Sequence, residues 1–105
     1  MKTTKRKALE KRGWKVGTAQ EFLGLSDEES MIIELKLAMA ESLKELRQGH
    51  RLSQEELAKM LHSSQSRIAK MEAGDRSVSI ELLLRALLRL GTTRRELAKL
   101  ITRAA

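Results

Sequence analysis

The stretch SSQSRIAKMEAG, residues 63–74, concentrates hydrogen-bonding side chains in what its pattern predicts to be one short helix. A glutamine amide can bond bidentately to N6 and N7 of adenine, and an arginine guanidinium to O6 and N7 of guanine. Gln65 and Arg67 are therefore candidates to contact base edges in a duplex groove. The alternative is that these polar side chains face only water, as on any solvated helix surface.

Helical geometry ranks these candidates. Consecutive residues are separated by about 100° around a helix, so Gln65, Ser66 and Arg67 cannot all face one groove floor. The bulky apolar residues of the stretch must point to a core, which leaves Gln65 and Ser66 toward the groove. We therefore expect these two to contact bases, and Arg67 a base or a phosphate. Lys70, one turn further along, is expected to contact a phosphate.

The charge of the chain favours a polyanionic partner. The formal net charge is +7 over 105 residues, and such an excess of cations attracts nucleic acids. Residues 1–15 carry seven Lys or Arg and one Glu, whereas residues 16–35 carry five carboxylates and no cation. The remaining residues carry 14 cations and eight anions. Two basic segments thus flank an acidic one.

Several classes of protein find no support in the composition. There is no cysteine, and the only imidazoles, His50 and His62, have no partners at metal-ligand spacing. No Ser-His-acid arrangement or glycine-rich phosphate loop is present, so we expect no enzyme, no metal and no cofactor. The apolar runs are far shorter than the ~20 residues of a membrane span. We expect no membrane association and a cytoplasmic location.

Helix starts are marked by four capping boxes, each a Ser or Thr followed three residues later by Glu, at Thr18, Ser26, Ser53 and Thr93. They predict a short helical turn at residues 18–23, followed by five helices. The predicted bounds of these five are residues 26–48, 54–61, 65–73, 79–90 and 93 onward, with Gly49, Gly74 and Gly91 as stops. We expect Gly49 to adopt the left-handed conformation. On the first of the five, the predicted buried stripe comprises Ile32, Leu35, Met39, Ser42, Leu43 and Leu46.

The central helices carry a specific resemblance. LSQEELAKML and SQSRIAKMEAG, within residues 52–74, resemble the Cro/C1 phage-repressor family, also called the XRE family. The resemblance extends roughly from Leu37 to Ile101. It implies an all-α, five-helix Cro/C1-type (lambda-repressor-like) helix-turn-helix domain, here with an N-terminal extension that lengthens the first helix. The expected division is a basic arm and short extension at residues 1–25 and the DNA-binding domain at residues 26–105.

The resemblance also implies roles for individual residues. It assigns DNA contacts to Gln54, Ser64, Gln65, Ser66, Arg67, Lys70, Arg76 and Ser77. Gln54 would meet the DNA backbone and support the reading glutamine, and Ser64 would cap the recognition helix near a phosphate. Arg47 and Glu72 match a pair that forms an internal ion pair in the family. His62 departs from the usual glycine of the turn, and Ser63 replaces a usual apolar residue.

The function that the resemblance implies is repression of transcription. A homodimer would bind double-stranded DNA at a near-palindromic operator. Because one monomer reads only a few base pairs, two copies about 34 Å apart would supply useful affinity.

The lead segment KRGWKVGTAQEFLGLSDEESMIIELKL, residues 11–37, resembles that of HigA-type antitoxins, which neutralise a small RNA-cleaving toxin and repress their shared operon. Its acidic stretch suggests a small basic toxin as partner, and the candidate contact residues are Trp14, Phe22, Met31, Ile32 and Ile33. The alternative is a protein-interaction module that binds a basic partner through this extension without needing DNA. The arm at residues 1–15 could bind phosphates or a minor groove, or it could only aid solubility.

Overall fold

Five α-helices make up the part of the chain that the computed structural model describes, residues 24–104, and no strand occurs there. They are α1 (Asp27–Gly49), α2 (Gln54–Met60), α3 (Gln65–Ala73), α4 (Ile80–Arg89) and α5 (Arg94–Ala104). The predicted all-α, five-helix fold of Cro/C1 type is confirmed. The helical turn predicted at residues 18–23 lies outside the described residues.

The helix starts follow the predicted caps. Ser26, Ser53 and Thr93 each accept from the backbone N–H three residues later, and the glutamate there accepts from the N–H of the cap. These pairs satisfy amides that a helix N-terminus leaves without a partner. The fourth predicted box, at Thr18, is not among the described residues. Ser64 and Ser79 cap α3 and α4 through their hydroxyls.

The end of α1 differs from the prediction. Gly49 belongs to the helix, and Arg51 takes the left-handed conformation with φ of 56°. The N–H groups of Arg51 and Leu52 donate to the carbonyls of Gln48 (3.0 Å) and Arg47 (3.1 Å), which is a Schellman motif. Arg47 Nη1 also donates to the Leu52 carbonyl at 2.7 Å. This tether explains why the helix continues past the glycine before the chain turns.

The other helix ends match the sequence. His62, at the end of α2, is left-handed with φ of 53°, as expected for a residue that replaces the glycine of the turn. Gly74 and Gly91 take the same conformation after α3 and α4. Each supplies the positive φ that lets the next amide bond back to the helix.

The core lies where α1 packs against α3, α4 and α5, while α2 packs against α3. Its largest fully buried side chains are Leu43, Leu57, Ile68, Met71, Leu83 and Leu87. In the predicted stripe of α1, Met39 and Leu43 are buried, but Ile32 was wrongly placed there because it is 52% exposed. Burial on α1 begins only at Lys36, since none of the other described helices covers its first turns. Among the described residues, no helix combines the length and hydropathy needed to span a membrane.

Candidate nucleic-acid interface

The short helices α2 and α3 are joined by a tight turn over residues 61–64. Ser64 ends the turn and caps α3, with its hydroxyl 3.2 Å from the N–H of Arg67. Two helices joined in this way form a helix-turn-helix, whose second helix can enter a major groove.

The two sides of α3 differ sharply. Ile68 and Met71 are buried in the core, as predicted. The outer side presents exposed polar side chains, namely Gln65, Ser66, Arg67 and Lys70. No described helix covers this face, so α3 stands on an apolar support with its polar residues accessible.

A buried ion pair anchors α3 to α1. The Glu72 carboxylate receives Arg47 Nε at 2.6 Å on one oxygen and Arg47 Nη2 at 3.1 Å on the other. The side chains of Arg47 and Glu72 are only 13% and 3% exposed. This confirms the predicted pair, and its two-point geometry fixes the orientation of both groups.

Gln54 extends this pair to the surface. Its Nε2 donates to Glu72 Oε1 at 3.2 Å, and its Oε1 accepts from Gln65 Nε2 at 3.3 Å. A carboxylate only accepts hydrogen bonds, so the Gln54 atom that faces Glu72 must be its nitrogen. The Gln54 oxygen therefore points to Gln65 and requires a nitrogen there as well.

The hydrogen bond from Gln65 to Gln54 determines which donor and acceptor groups Gln65 can present to a ligand. Among the residues that the structure describes, the amide nitrogen of Gln65 keeps one hydrogen without a partner, and its oxygen has no donor. One donor beside one acceptor is complementary to N7 and the N6 amino group of adenine in the major groove. The expected support of Gln65 by Gln54 is thus present as a contact between the two amides.

The loop after α3 is held by Asp75 and Lys36. Asp75 accepts from the Ser77 N–H at 2.9 Å and from the Ser77 hydroxyl at 2.7 Å. These two bonds lower the pKa of Asp75 below its ordinary value. Ser77 gives its only hydroxyl proton to Asp75 and has none to donate to a phosphate in this conformation.

Lys36 supports the same loop from α1. Its ammonium group donates to the backbone carbonyl of Arg76 at 3.1 Å. Burial lowers the pKa of Lys36, and the attraction of Asp75 opposes this shift. The contact leaves the side chain of Arg76 exposed beside α3. Sequence reasoning missed Lys36, although a lysine at helical spacing between Ile32 and Met39 was a signal.

The eight predicted DNA contacts fall into three places, the start of α2, α3 with its N-cap Ser64, and the loop after α3. Gln54 contacts Gln65, and the hydroxyls of Ser64 and Ser66 lie 3.4 Å apart. Among the predicted partner contacts, Trp14 and Phe22 lie outside the described residues. Met31 and Ile32 are 60% and 52% exposed on α1, and Ile33 is half-buried.

Groups that could bind a metal do not converge in the described part of the chain, since no cluster of three or more His, Cys, Asp or Glu occurs there. The site consists of hydrogen-bonding amides, hydroxyls and cations on a convex helix. Such groups suit recognition of bases and phosphates.

Comparison with known proteins gives one finding. A helix-turn-helix family model of XRE type matches residues 43–97, more than half of the chain. Comparison with curated proteins and with solved structures found no match. The matched residues contain all of α2, α3 and α4, and with them all eight predicted DNA contacts. The chain therefore belongs to the XRE-type helix-turn-helix family of DNA-binding transcription regulators.

Proposed function

We propose that this chain is a sequence-specific repressor that acts as a homodimer on a near-palindromic operator. The observation that carries the proposal is the exposed polar face of α3, on which the amide of Gln65 donates to Gln54. A glutamine with one free donor and one free acceptor is suited to an adenine edge. Two such helices about 34 Å apart would meet successive major grooves on one side of the duplex.

The proposed contacts divide into base reading and backbone positioning. Gln65 and Ser66 contact bases, and Arg67 contacts a base or a phosphate. The remaining residues contact the DNA backbone, namely Gln54, Ser64, Lys70, Arg76 and Ser77. For Ser77 this requires that its hydroxyl first turns away from Asp75, to which it donates in the free protein. Repression then follows from occlusion of the promoter by the bound dimer.

Gln65→Ala tests the reading role. The preferred site is first selected from a random duplex library, and affinities are then measured by fluorescence anisotropy on that site and on random duplex. We expect Gln65→Ala to weaken binding to the preferred site by roughly 5- to 150-fold, the value of one bidentate contact, with a much smaller loss on random duplex. Gln48→Ala is the matched control, because Gln48 is an exposed glutamine near the end of α1. Equal losses on both duplexes would reassign Gln65 to backbone positioning.

We further propose that the chain is the antitoxin of a type II toxin–antitoxin pair and represses its own operon. The support is the resemblance of residues 11–37 to HigA-type lead segments, together with Met31 and Ile32, which are exposed on α1. Asp27, Glu28 and Glu29 lie in the first turn of the same helix. An apolar surface beside carboxylates suits a small basic toxin. On this proposal, the toxin contacts the extension at residues 1–25 and the first turns of α1, which belong to the DNA-binding domain at residues 26–105.

Co-expression with the neighbouring reading frame tests the antitoxin role. We expect that frame to encode a small basic protein that co-purifies with the chain. Ile32→Lys should abolish co-purification and leave DNA binding intact. Leu88→Lys is the control, because Leu88 is a comparably exposed apolar residue on α4. Co-purification that survives Ile32→Lys would place the contact elsewhere.

Binding to a preferred duplex, and its salt dependence, separate the repressor from a pure protein-interaction module. Operator binding should weaken with a log–log slope of about −0.9 for each phosphate neutralised. An interaction module that needs no DNA would bind its basic partner through the extension but show no preferred duplex. A chain without any preferred duplex would favour that alternative.

A further inference from the structure

A groove between the turn of the helix-turn-helix and α4 gathers cations around an apolar floor. Its cationic walls are formed by Arg67 of α3 and by Arg85 and Arg89 of α4. The floor includes Ile68, Met71 and Ala86, and His62 and Ser63 close the end at the turn. We propose that this groove binds the sugar–phosphate backbone of the duplex that α3 reads, which makes Arg85 and Arg89 phosphate contacts; this rests on the DNA binding proposed above.

The arginines of this groove are available to a ligand. Within the described residues, neither the Arg67 nor the Arg89 side chain has a hydrogen-bonding or ionic partner, and both are exposed. Arg85 Nε lies 3.1 Å from Glu81 Oε2, and these two side chains are 70% and 73% exposed. An ion pair so exposed contributes little, so a phosphate can displace Glu81 from it. Guanidinium groups bind phosphates with two parallel hydrogen bonds.

The arrangement also fits a linear polyanion. Arg85 and Arg89 are four residues apart and therefore lie on the same face of α4. Arg67 completes the groove from the first turn of α3, where base contacts are proposed. The cationic groove is thus continuous with the reading face. A strand that leaves α3 along the edge of the major groove would meet Arg67 first and then the two arginines of α4.

The test is the salt dependence of binding for the double variant Arg85→Gln/Arg89→Gln, measured on the preferred duplex and on random duplex. Glutamine keeps helix propensity and hydrogen-bonding ability but removes the charge. We expect the slope of log affinity against log salt to become shallower by about 1.8, because two phosphate contacts are lost. Both duplexes should lose affinity by the same factor, since phosphates carry no base identity.

The matched control is Arg95→Gln/Lys99→Gln on α5. It removes the same number of exposed charges with the same spacing, and thus reports the effect of net charge alone. If the two double variants change the slope equally, the groove is not a phosphate site. If the α4 variant loses more affinity on the preferred duplex than on random duplex, its arginines contact bases and the assignment is wrong.

The groove and the reading role can fail separately. Random duplex tests the arginines even if no sequence preference exists. Gln65→Ala tests base reading through the loss of sequence preference, even if the α4 double variant does not change the salt dependence of binding. Thermal unfolding of each variant shows whether its fold is unchanged, and we expect no shift because all four substituted side chains are exposed.

Discussion

The ion pair between Arg47 and Glu72 yields the most quantitative prediction. Arg47→Met leaves the Glu72 carboxylate, 3% exposed, with the Gln54 amide as its remaining partner. Glu72→Met leaves the guanidinium with the Leu52 carbonyl. Removing one member of a buried pair costs about 3–5 kcal/mol, because a charge stays buried without compensation. Each single variant should therefore lose about 3 kcal/mol of unfolding free energy, or roughly 12–24 °C in Tm for a domain of this size.

The double variant Arg47→Met/Glu72→Met should be far less damaged. Two methionines in a buried position restore apolar contact, and such replacements of buried pairs are often nearly neutral. Some cost remains, because Gln54 Nε2 and the Leu52 carbonyl each lose a partner; we estimate about 2 kcal/mol from the usual value of a hydrogen bond. The coupling energy of the cycle is then about 4 kcal/mol.

Urea unfolding followed by far-ultraviolet circular dichroism measures all four proteins of the cycle. Equal m-values would show that the same surface is exposed in each. If the two single losses simply add in the double variant, Arg47 and Glu72 are not coupled and the reasoning is refuted.

The same double variant shows whether the buried pair affects base recognition by Gln65 independently of its effect on stability. Without Glu72, the Gln54 amide can flip, so the orientation of Gln65 is no longer imposed. We expect the preference for the selected site to fall about tenfold, a loss of roughly 1.4 kcal/mol, while binding to random duplex is retained. An unchanged preference would show that Gln54 does not orient the reading residue.

Four further variants test local structure, and their free energies of unfolding are measured in urea. Gly49→Ala should stabilise by about 0.5–1 kcal/mol, because Gly49 is helical and a Cβ there meets nothing within 4 Å; Arg51→Gly should gain a similar amount by relieving its positive φ. If Gly49→Ala instead loses unfolding free energy, Gly49 has the left-handed conformation that the sequence predicts. Ser63→Ala should be neutral or stabilise by up to about 1 kcal/mol, because the Ser63 hydroxyl is buried without a hydrogen-bond partner among the described residues; a loss above that size would reveal a missed partner. Because the pKa of Asp75 is lowered in the folded state, its contribution to folding stability is complete above its ordinary pKa. That contribution is lost as the pH falls through the lower folded-state pKa. As the pH falls from 5 to 2, the free energy of unfolding of Asp75→Asn should therefore decrease less than that of the unaltered chain. If the two free energies decrease in parallel with pH, the role of the Ser77 hydrogen bonds is contradicted.

Helix starts were predictable because they depend on neighbours in sequence. A hydroxyl and a carboxylate three residues apart satisfy the same few amides wherever they occur, and Ser26, Ser53 and Thr93 all do so. The end of α1 was not predictable in this way. It is set by the hydrogen bond from Arg47 to the Leu52 carbonyl, and this arginine is itself held by a residue of α3. The spacing of residues in the sequence does not predict the hydrogen bond between Arg47 and the Leu52 carbonyl.

Burial on α1 shows a second limit. A helical period identifies the side chains that share a face, as with Met39 and Leu43, but it does not show how far the neighbouring helices reach. Ile32 shares that face and is exposed, whereas Lys36 is buried among apolar residues and bonds to the loop after α3. Likewise, the outward side of α3 follows from its pattern. Its juxtaposition with arginines some 20 residues away on α4 follows only from the fold.

The buried pair is better understood as an orienting device than as a source of stability. Apolar residues in place of both Arg47 and Glu72 would cost only about 2 kcal/mol, less than the loss of either partner alone. An amide in place of Glu72 would hold Gln54 nearby but would allow either end of it to face inward, because an amide both donates and accepts. Only a group that solely accepts forces the Gln54 nitrogen inward and its oxygen toward Gln65. The charge of Glu72 thus requires a buried cation, and Arg47 supplies it while also closing the end of α1.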